Sequence, residues 1–447
     1  MVTQETQLLD QLTFCVVDLE TTGGNHQRDK IIEIGLVHIE NLKITKELTF
    51  LINPQIPIPE FIQNLTDIRA SQLQTRPTIE EVIDEIMEFI GDKILVAHNS
   101  SFDFPFLNSV LERLEKEKLT NRILCTNIMT KNLIPDIISS NLPYLSQIFQ
   151  IEHTKAHRAL EDARACAQLL LKYLQFFRAK NITKINQIYY PRAKFELDTA
   201  HFKGVGAIEE AKEKLKSITI PTLVLVKGEN GILLQIIPLK NPHQEVDDFS
   251  TLLDYLDLKE NLNYTVTIKI FESYIACLLL THKSIFKLPP KDQKILLDYL
   301  FSHHIQASLT SPSPQLTQTS TPLGINKNIF IIKHLIPDQF ILFAFPLQSN
   351  RRELIFRFPN HLQKMSLYID KIIRKKNKPS SDSTQIVKSN GNHNWNEFFT
   401  QYLIQESDEY LKWSFNEHLI HKELLEARIK IFSEKNPHQW NYPSEHI

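Results

Sequence analysis

The chain has little cysteine and none of it is clustered. Cys15, Cys125, Cys166 and Cys277 are the only four in 447 residues, and no two form a CxxC pair. That spacing argues against a disulfide framework and against a zinc site built on paired thiolates, and it suits a reducing cytoplasm. There is no apolar run approaching the ~18 residues of a membrane span. The opening stretch, MVTQETQLLDQL, lacks the basic and apolar regions of a secretory signal, so no membrane partner is expected. A formal net charge of -2 gives no bulk attraction for polyanions. Contact with a nucleic acid would have to come from local patches or bound cations.

What is present is ample core-forming material. Hydrophobic residues make up 42% of the chain and charged residues 23%, as in soluble globular proteins. At ~150 residues per domain the length suggests about three units. Residues 1–180 alternate strands and helices. Phe14–Asp18, Ile31–Ile39, Ile44–Ile52 and ILVA at 94–97 read as strands. Ile79, Val82, Ile83, Ile86, Phe89 and Ile90 recur at helical spacing. FDFPFLNSVLERLEKEK begins a helix capped by Ser100 or Ser101, and Arg158–Phe177 is a long helix. The expected class is α/β, a mixed sheet with flanking helices. Residues 181–219 read as a connector and 220–378 as an α+β domain of unrecognised family. In this second region PTLVLV, GILLQIIPL, YTVTIKIF, SYIACLLL, NIFIIKHLI, QFILFAF and RELIFRF are strand candidates. Helices are expected at 248–257, 291–303 and 360–375. SPSPQLTQTSTP (311–322) reads as a flexible insertion, 379–394 as a linker and 395–447 as a helical C-terminal segment.

The stretch FCVVDLETTG poses a chemical problem. An apolar strand ends on two acids, Asp18 and Glu20, and side-chain alternation puts both on one face. Charges there are costly to desolvate unless compensated. Two further acids supply the context: Asp103 in NSSFDFPFL, after the ILVA strand, and Asp162 in HRALEDA. Four carboxylates on three elements are hard oxygen donors suited to Mg²⁺ or Mn²⁺. Two such ions would neutralise them and could clamp a phosphoryl displacement. His157 precedes Asp162 by five residues, roughly 140° apart on a continuous helix. His157 is therefore expected on the loop or first turn before the helix, where an imidazole can take a proton from an attacking water.

With these motifs, residues 14–175 resemble the DEDDh family of 3′-5′ exonucleases, which includes the DNA polymerase III epsilon proofreading subunit. The resemblance rests on DLETTG, NSSFDFPFL and HRALEDA, in that order. It implies a ribonuclease H-like fold, two divalent metal ions and hydrolysis of nucleotides from a 3′ end. It further implies that Asp18, Glu20, Asp103 and Asp162 are metal ligands and that His157 is the general base. Thr21, Thr22 and Phe102 would line the pocket for the 3′-terminal nucleotide. One departure is Thr66, Asp67, Ile68 and Arg69, where the family usually has a Thr-Gly-Ile-Thr turn. Asp67 is expected to take a left-handed conformation there.

The substrate expected on this reading is a single-stranded or frayed DNA 3′ end, degraded to nucleoside monophosphates in proofreading or repair. A DNA polymerase or other replication protein is a candidate partner. The alternatives are 3′-5′ trimming of RNA, and an adaptor acting through its C-terminal region. His26, His98 and His153 read as ordinary polar or turn residues. Phe104 and Phe106 fit a core position as well as a base-stacking one. KIIRKKNK (371–378) reads as a solvated helix end more readily than as a phosphate grip. The aromatics Trp395, Phe398, Phe399, Tyr402, Tyr410, Trp413 and Phe415 could dock a partner or pack on the second domain.

Overall fold

A computed structural model describes residues 8–189, 196–254, 263–305, 328–347, 353–376, 395–414 and 422–438. The chain divides into two compact units between Leu197 and Asp198. Among the described residues no helix is long and apolar enough to cross a membrane.

The first unit is built on a five-stranded mixed sheet. Strands β1 (Thr13–Thr21), β2 (Ile31–Glu40) and β3 (Lys43–Leu51) form an antiparallel meander. Helices α1 (Glu60–Thr66), α2 (Ala70–Leu73) and α3 (Ile79–Ile90) follow. Strand β4 (Ile94–Ala97) then returns parallel to β1, giving the order β3-β2-β1-β4-β5 once β5 (Ile123–Cys125) is added. Helix α4 (Ser100–Arg113) joins β4 to β5, and α5 (Thr126–Leu133), α6 (Leu142–Ile148), α7 (Ala159–Ala179) and α8 (Ile185–Tyr189) complete the unit. This is the mixed sheet with flanking helices expected from the sequence.

Local sequence explains these elements. Phe14, Cys15, Val16 and Val17 are fully buried, so β1 is a central strand covered on both faces. Helix α3 starts at a capping box, in which the Thr78 N–H donates to Glu81 Oε2 at 2.8 Å. Its buried face is Ile79, Val82, Ile83, Ile86 and Ile90. Asn99 holds the N-cap position of α4 without a side-chain capping bond, and Ser100 and Ser101 lie inside the helix instead of capping it. Because β1 and β4 run parallel, their carboxyl ends share one edge of the sheet. That edge is where open α/β sheets bind ligands.

The second unit carries two four-stranded antiparallel sheets. One has the order β6-β9-β7-β8, from β6 (Thr199–Gly204), β7 (Thr222–Lys227), β8 (Leu233–Leu239) and β9 (Tyr264–Ile270). The other has the order β12-β11-β10-β13, from β10 (Asn328–Lys333), β11 (Gln339–Phe345), β12 (Leu354–Arg357) and β13 (Leu411–Ser414). Their helices are α9 (Ala207–Leu215), α10 (Val246–Asp254), α11 (Tyr274–Ile285), α12 (Pro290–His304), α13 (Leu362–Lys376), α14 (Trp395–Gln405) and α15 (Lys422–Lys435).

Three sequence expectations change here. The connector expected at 181–219 contains β6 and α9, and β6 pairs with β9. SYIACLLL is not a strand: it opens α11, where the Ser273 side chain accepts from the Ile275 N–H at 3.2 Å. A short apolar run buried all round carries no period to separate strand from helix. The C-terminal segment is not wholly helical, since β13 pairs with β10. Its aromatics pack within the second unit. Phe399 lies against Phe343 and Phe345, Phe398 against Phe301, and Trp413 sits in the core with Ile329 and Phe340. The segments 311–322 and 379–394, Phe415, and the end of the 371–378 run lie outside the described residues.

Candidate metal centre

Asp18 and Glu20 occupy the carboxyl end of β1 and are both partly buried. Across the ladder Asp18 faces Gly35 and Glu20 faces Glu33. Asp103 is in the first turn of α4, just beyond the end of β4, and is 3% exposed. Asp162 is in the first turn of α7. His157 lies before α7 with φ +62°, off the helix as its spacing from Asp162 required.

The carboxylates act on one another. Burial and the neighbouring charges of Asp103, Asp162, Glu20 and Glu33 push Asp18 well above the usual carboxylate range. Burial, then Asp162, Glu33 and Asp103, push Glu20 up to about 8. Burial pushes Asp103 up to about 7, even though the Leu19 backbone N–H stabilises its anion. Ligand atoms of Glu20, His157 and Asp162 come within 4.8 Å of one another. Buried like charges this close need either protons or cations. Carboxylate oxygens with one imidazole beside them are donors a divalent ion accepts, so the residues present fit the metal centre that the motifs imply.

Three features position the helix that carries Asp162. Glu33, 2% exposed, accepts from Arg158 Nη2 at 2.8 Å and from Arg158 Nε at 3.1 Å. It also accepts the Ala159 N–H at 3.0 Å, so a strand residue satisfies an open donor at the start of α7. Gly35 permits the close approach: a Cβ there would lie 2.3 Å from the Ala159 carbonyl oxygen and 2.4 Å from the Leu160 nitrogen. Finally, Asp162 is held at both oxygens. His153 Nε2 lies 2.5 Å from Oδ1, and the His157 N–H donates to Oδ2 at 3.0 Å.

Glu33, Gly35 and His153 were not singled out as site residues in the sequence. Glu33 reads there as one acid in a strand, and only its β-ladder register with Glu20 reveals its place. His153 read as an ordinary polar residue, yet its side chain is 4% exposed and turned onto Asp162. The spacing His153-x3-His157-x4-Asp162 was the available signal, and the loop conformation decided its meaning.

The remaining candidates sort by environment. Thr21 and Thr22 are buried. The Thr21 hydroxyl donates to the Gly23 carbonyl at 2.6 Å, and the Thr22 hydroxyl accepts the Lys30 N–H at 2.9 Å. Both hydroxyls thus close the loop that follows β1. Phe102 is half-buried against Phe106, with ring centroids 5.0 Å apart. Phe104 and Phe106 are core residues. Asp67 takes the left-handed conformation (φ +57°) and pairs with Lys155 at 2.9 Å. His98 is buried between the Thr126 hydroxyl and the Ser140 carbonyl, and His26 bonds Ser109, as polar structural residues do.

Residues 15–170 match the family model described as exonuclease. A DNA polymerase III of PolC type from Caldanaerobacter subterraneus subsp. tengcongensis is 37% identical over 287 residues, covering 58% of this chain and 20% of its own. Its counterpart from Bacillus subtilis is 31% identical over 281 residues, covering 57% and 20%. The chain therefore spans about a fifth of the length of these relatives. A solved structure of exonuclease X in complex with 5′ overhanging duplex DNA is 26% identical, covers 36% of this chain and 91% of its own, and has a TM-score of 0.30.

Proposed function

We propose that this chain, whose residues 15–170 form an exonuclease domain of the DEDDh type, hydrolyses DNA from the 3′ end to nucleoside monophosphates in proofreading or repair. The observation that carries the reading is the convergence of Asp18, Glu20, Asp103 and Asp162: burial first, and then the charges of Asp103 and Asp162, oppose ionisation of Asp18 and Glu20. The DNA assignment is supported by the relatives named as DNA polymerases. A replication polymerase as partner, and the cytoplasm as compartment, are the readings that the same likeness and four free cysteines support.

Two divalent ions, Mg²⁺ or Mn²⁺, held by the four carboxylates would neutralise the phosphodiester and stabilise the departing 3′ oxygen. His157 accepts the proton of the attacking water at a ring nitrogen. Its exposed position beside Glu20 and Asp162 leaves the ring free to reach that water. The water oxygen bonds to phosphorus, the bond from phosphorus to the 3′ oxygen breaks, and a nucleoside 5′-monophosphate leaves. Phe102 stacks on the terminal base, while Thr21 and Thr22 shape the wall beside it.

The test uses 5′-labelled DNA and RNA oligonucleotides with free or blocked 3′ ends, in Mg²⁺. Stepwise shortening of free-ended DNA, and resistance of blocked ends, is expected. Internal cleavage, or action on RNA alone, would overturn the assignment.

A further inference from the structure

His153 lies in the segment that leads from α6 to α7, and its side chain is almost wholly buried. Nothing in the proposed chemistry uses it. Yet its Nε2 makes a 2.5 Å contact with Asp162 Oδ1, and the other Asp162 oxygen takes the His157 backbone N–H at 3.0 Å. The segment is fastened a third time by Lys155, which pairs with Asp67 at 2.9 Å. Between these ties His157 holds a positive φ of 62°. Few residues other than glycine adopt that conformation, and it persists where surrounding contacts fix it. One carboxylate thus receives both the ring of one histidine and the backbone of another.

We infer that His153 is a positioning residue of the metal centre. Its ring N–H fixes the Asp162 carboxylate in the orientation that takes a cation, and the same carboxylate then holds the His157 backbone. This rests on the reading of Asp162 as a metal ligand. A carboxylate oxygen has two lone pairs, so each can accept one hydrogen bond and still face an ion. Partners that orient a ligand in this way typically contribute 10–100-fold to metal affinity. His157 and His153 therefore have separable tasks. The first moves a proton, and the second arranges the group that binds metal.

The experiment is calorimetric titration of the full chain with Mn²⁺ at fixed pH, comparing wild type, His153→Ala, His153→Gln and Asp18→Asn. His153→Ala is expected to weaken Mn²⁺ binding by about 10–100-fold. His153→Gln, which keeps an N–H donor, recovers most of that loss. Raising Mn²⁺ restores turnover to His153→Ala but not to His157→Ala. If the Ala variant unfolds, His153→Phe, which fills the space without a donor, replaces it. Undiminished affinity in His153→Ala beside a large loss in Asp18→Asn would overturn the inference alone. Equal losses in the Ala and Gln variants would overturn it too. Undiminished affinity in Asp18→Asn would instead overturn the metal centre itself.

Discussion

The Glu33 carboxylate joins strand β2 to the start of α7, binding the Arg158 guanidinium through two nitrogens and the Ala159 N–H at 3.0 Å. Glu33 also sits directly across the ladder from Glu20. One buried acid thereby sets the distance between a β1 carboxylate and the helix bearing Asp162.

Replacing Glu33 with Ala should cost about 1.5–3 kcal/mol, the range for a hydrogen bond to a charged group, and should free the start of α7. Thermal melts and Mn²⁺ titration together check this. Weakened metal binding is expected alongside the lower Tm. A variant with normal metal affinity would show that α7 is placed by its packing alone.

Gly35→Ala should be damaging to a similar degree. The new methyl would collide with backbone atoms of Ala159 and Leu160, which cannot swing aside as a side chain can. Overpacking of this kind costs about 1–3 kcal/mol. Displacement of α7 should also lower turnover. Full activity with an unchanged Tm would contradict the close approach.

Much of this site was legible in the sequence because its parts are local. A strand ending in two acids, a helix after ILVA and a histidine just ahead of a helix each carry a short-range signal. β1, β4, α4 and α7 appear where that signal put them. What was not legible depends on tertiary register. Glu33 meets Arg158 across 125 residues, and His153 meets Asp162 only through the path of a loop. In the second unit the apolar runs at β7, β10 and β11 read correctly, but SYIACLLL is equally apolar and folds as a helix. Burial on all sides erases the alternation that would have told them apart. The pairing of β6 with β9 likewise leaves no mark in residues 199–204, whose composition reads as a connector.

A fragment of residues 1–197 should fold and keep hydrolytic activity on short oligonucleotides, because all five proposed catalytic residues and their core precede Asp198. Ending the fragment near residue 180 should lower its Tm. It would remove buried Ile182, Ile185 and Leu197 and the bond from Leu9 N–H to the Thr183 carbonyl. Equal melting temperatures for the two fragments would show that these residues contribute nothing to the unit.

Without metal, the folded protein should lose stability as pH rises from about 6.5 to 8.5. Asp103 at about 7 and Glu20 at about 8 bind protons in the folded state that the unfolded chain, with ordinary carboxylates, has already released. The folded state then holds more protons, so stability falls with increasing pH. His304 and His334, pushed down to about 4 by burial, act with the opposite sign, but only below about 6.5. Melting in EDTA across the window checks the sign, and Mn²⁺ should raise Tm more at the upper end. A flat or rising Tm in EDTA would contradict the raised carboxylates.

The most direct test of the central claim is single-turnover hydrolysis of a 5′-labelled, single-stranded DNA by wild type and Asp18→Asn in saturating Mg²⁺ at neutral pH. The account predicts a loss of about 10² or more in rate with an unaltered fold by circular dichroism, since the substitution removes an acid at the centre of the cluster. Near-normal hydrolysis by a folded Asp18→Asn protein would mean that the four carboxylates are not where the phosphodiester is cut.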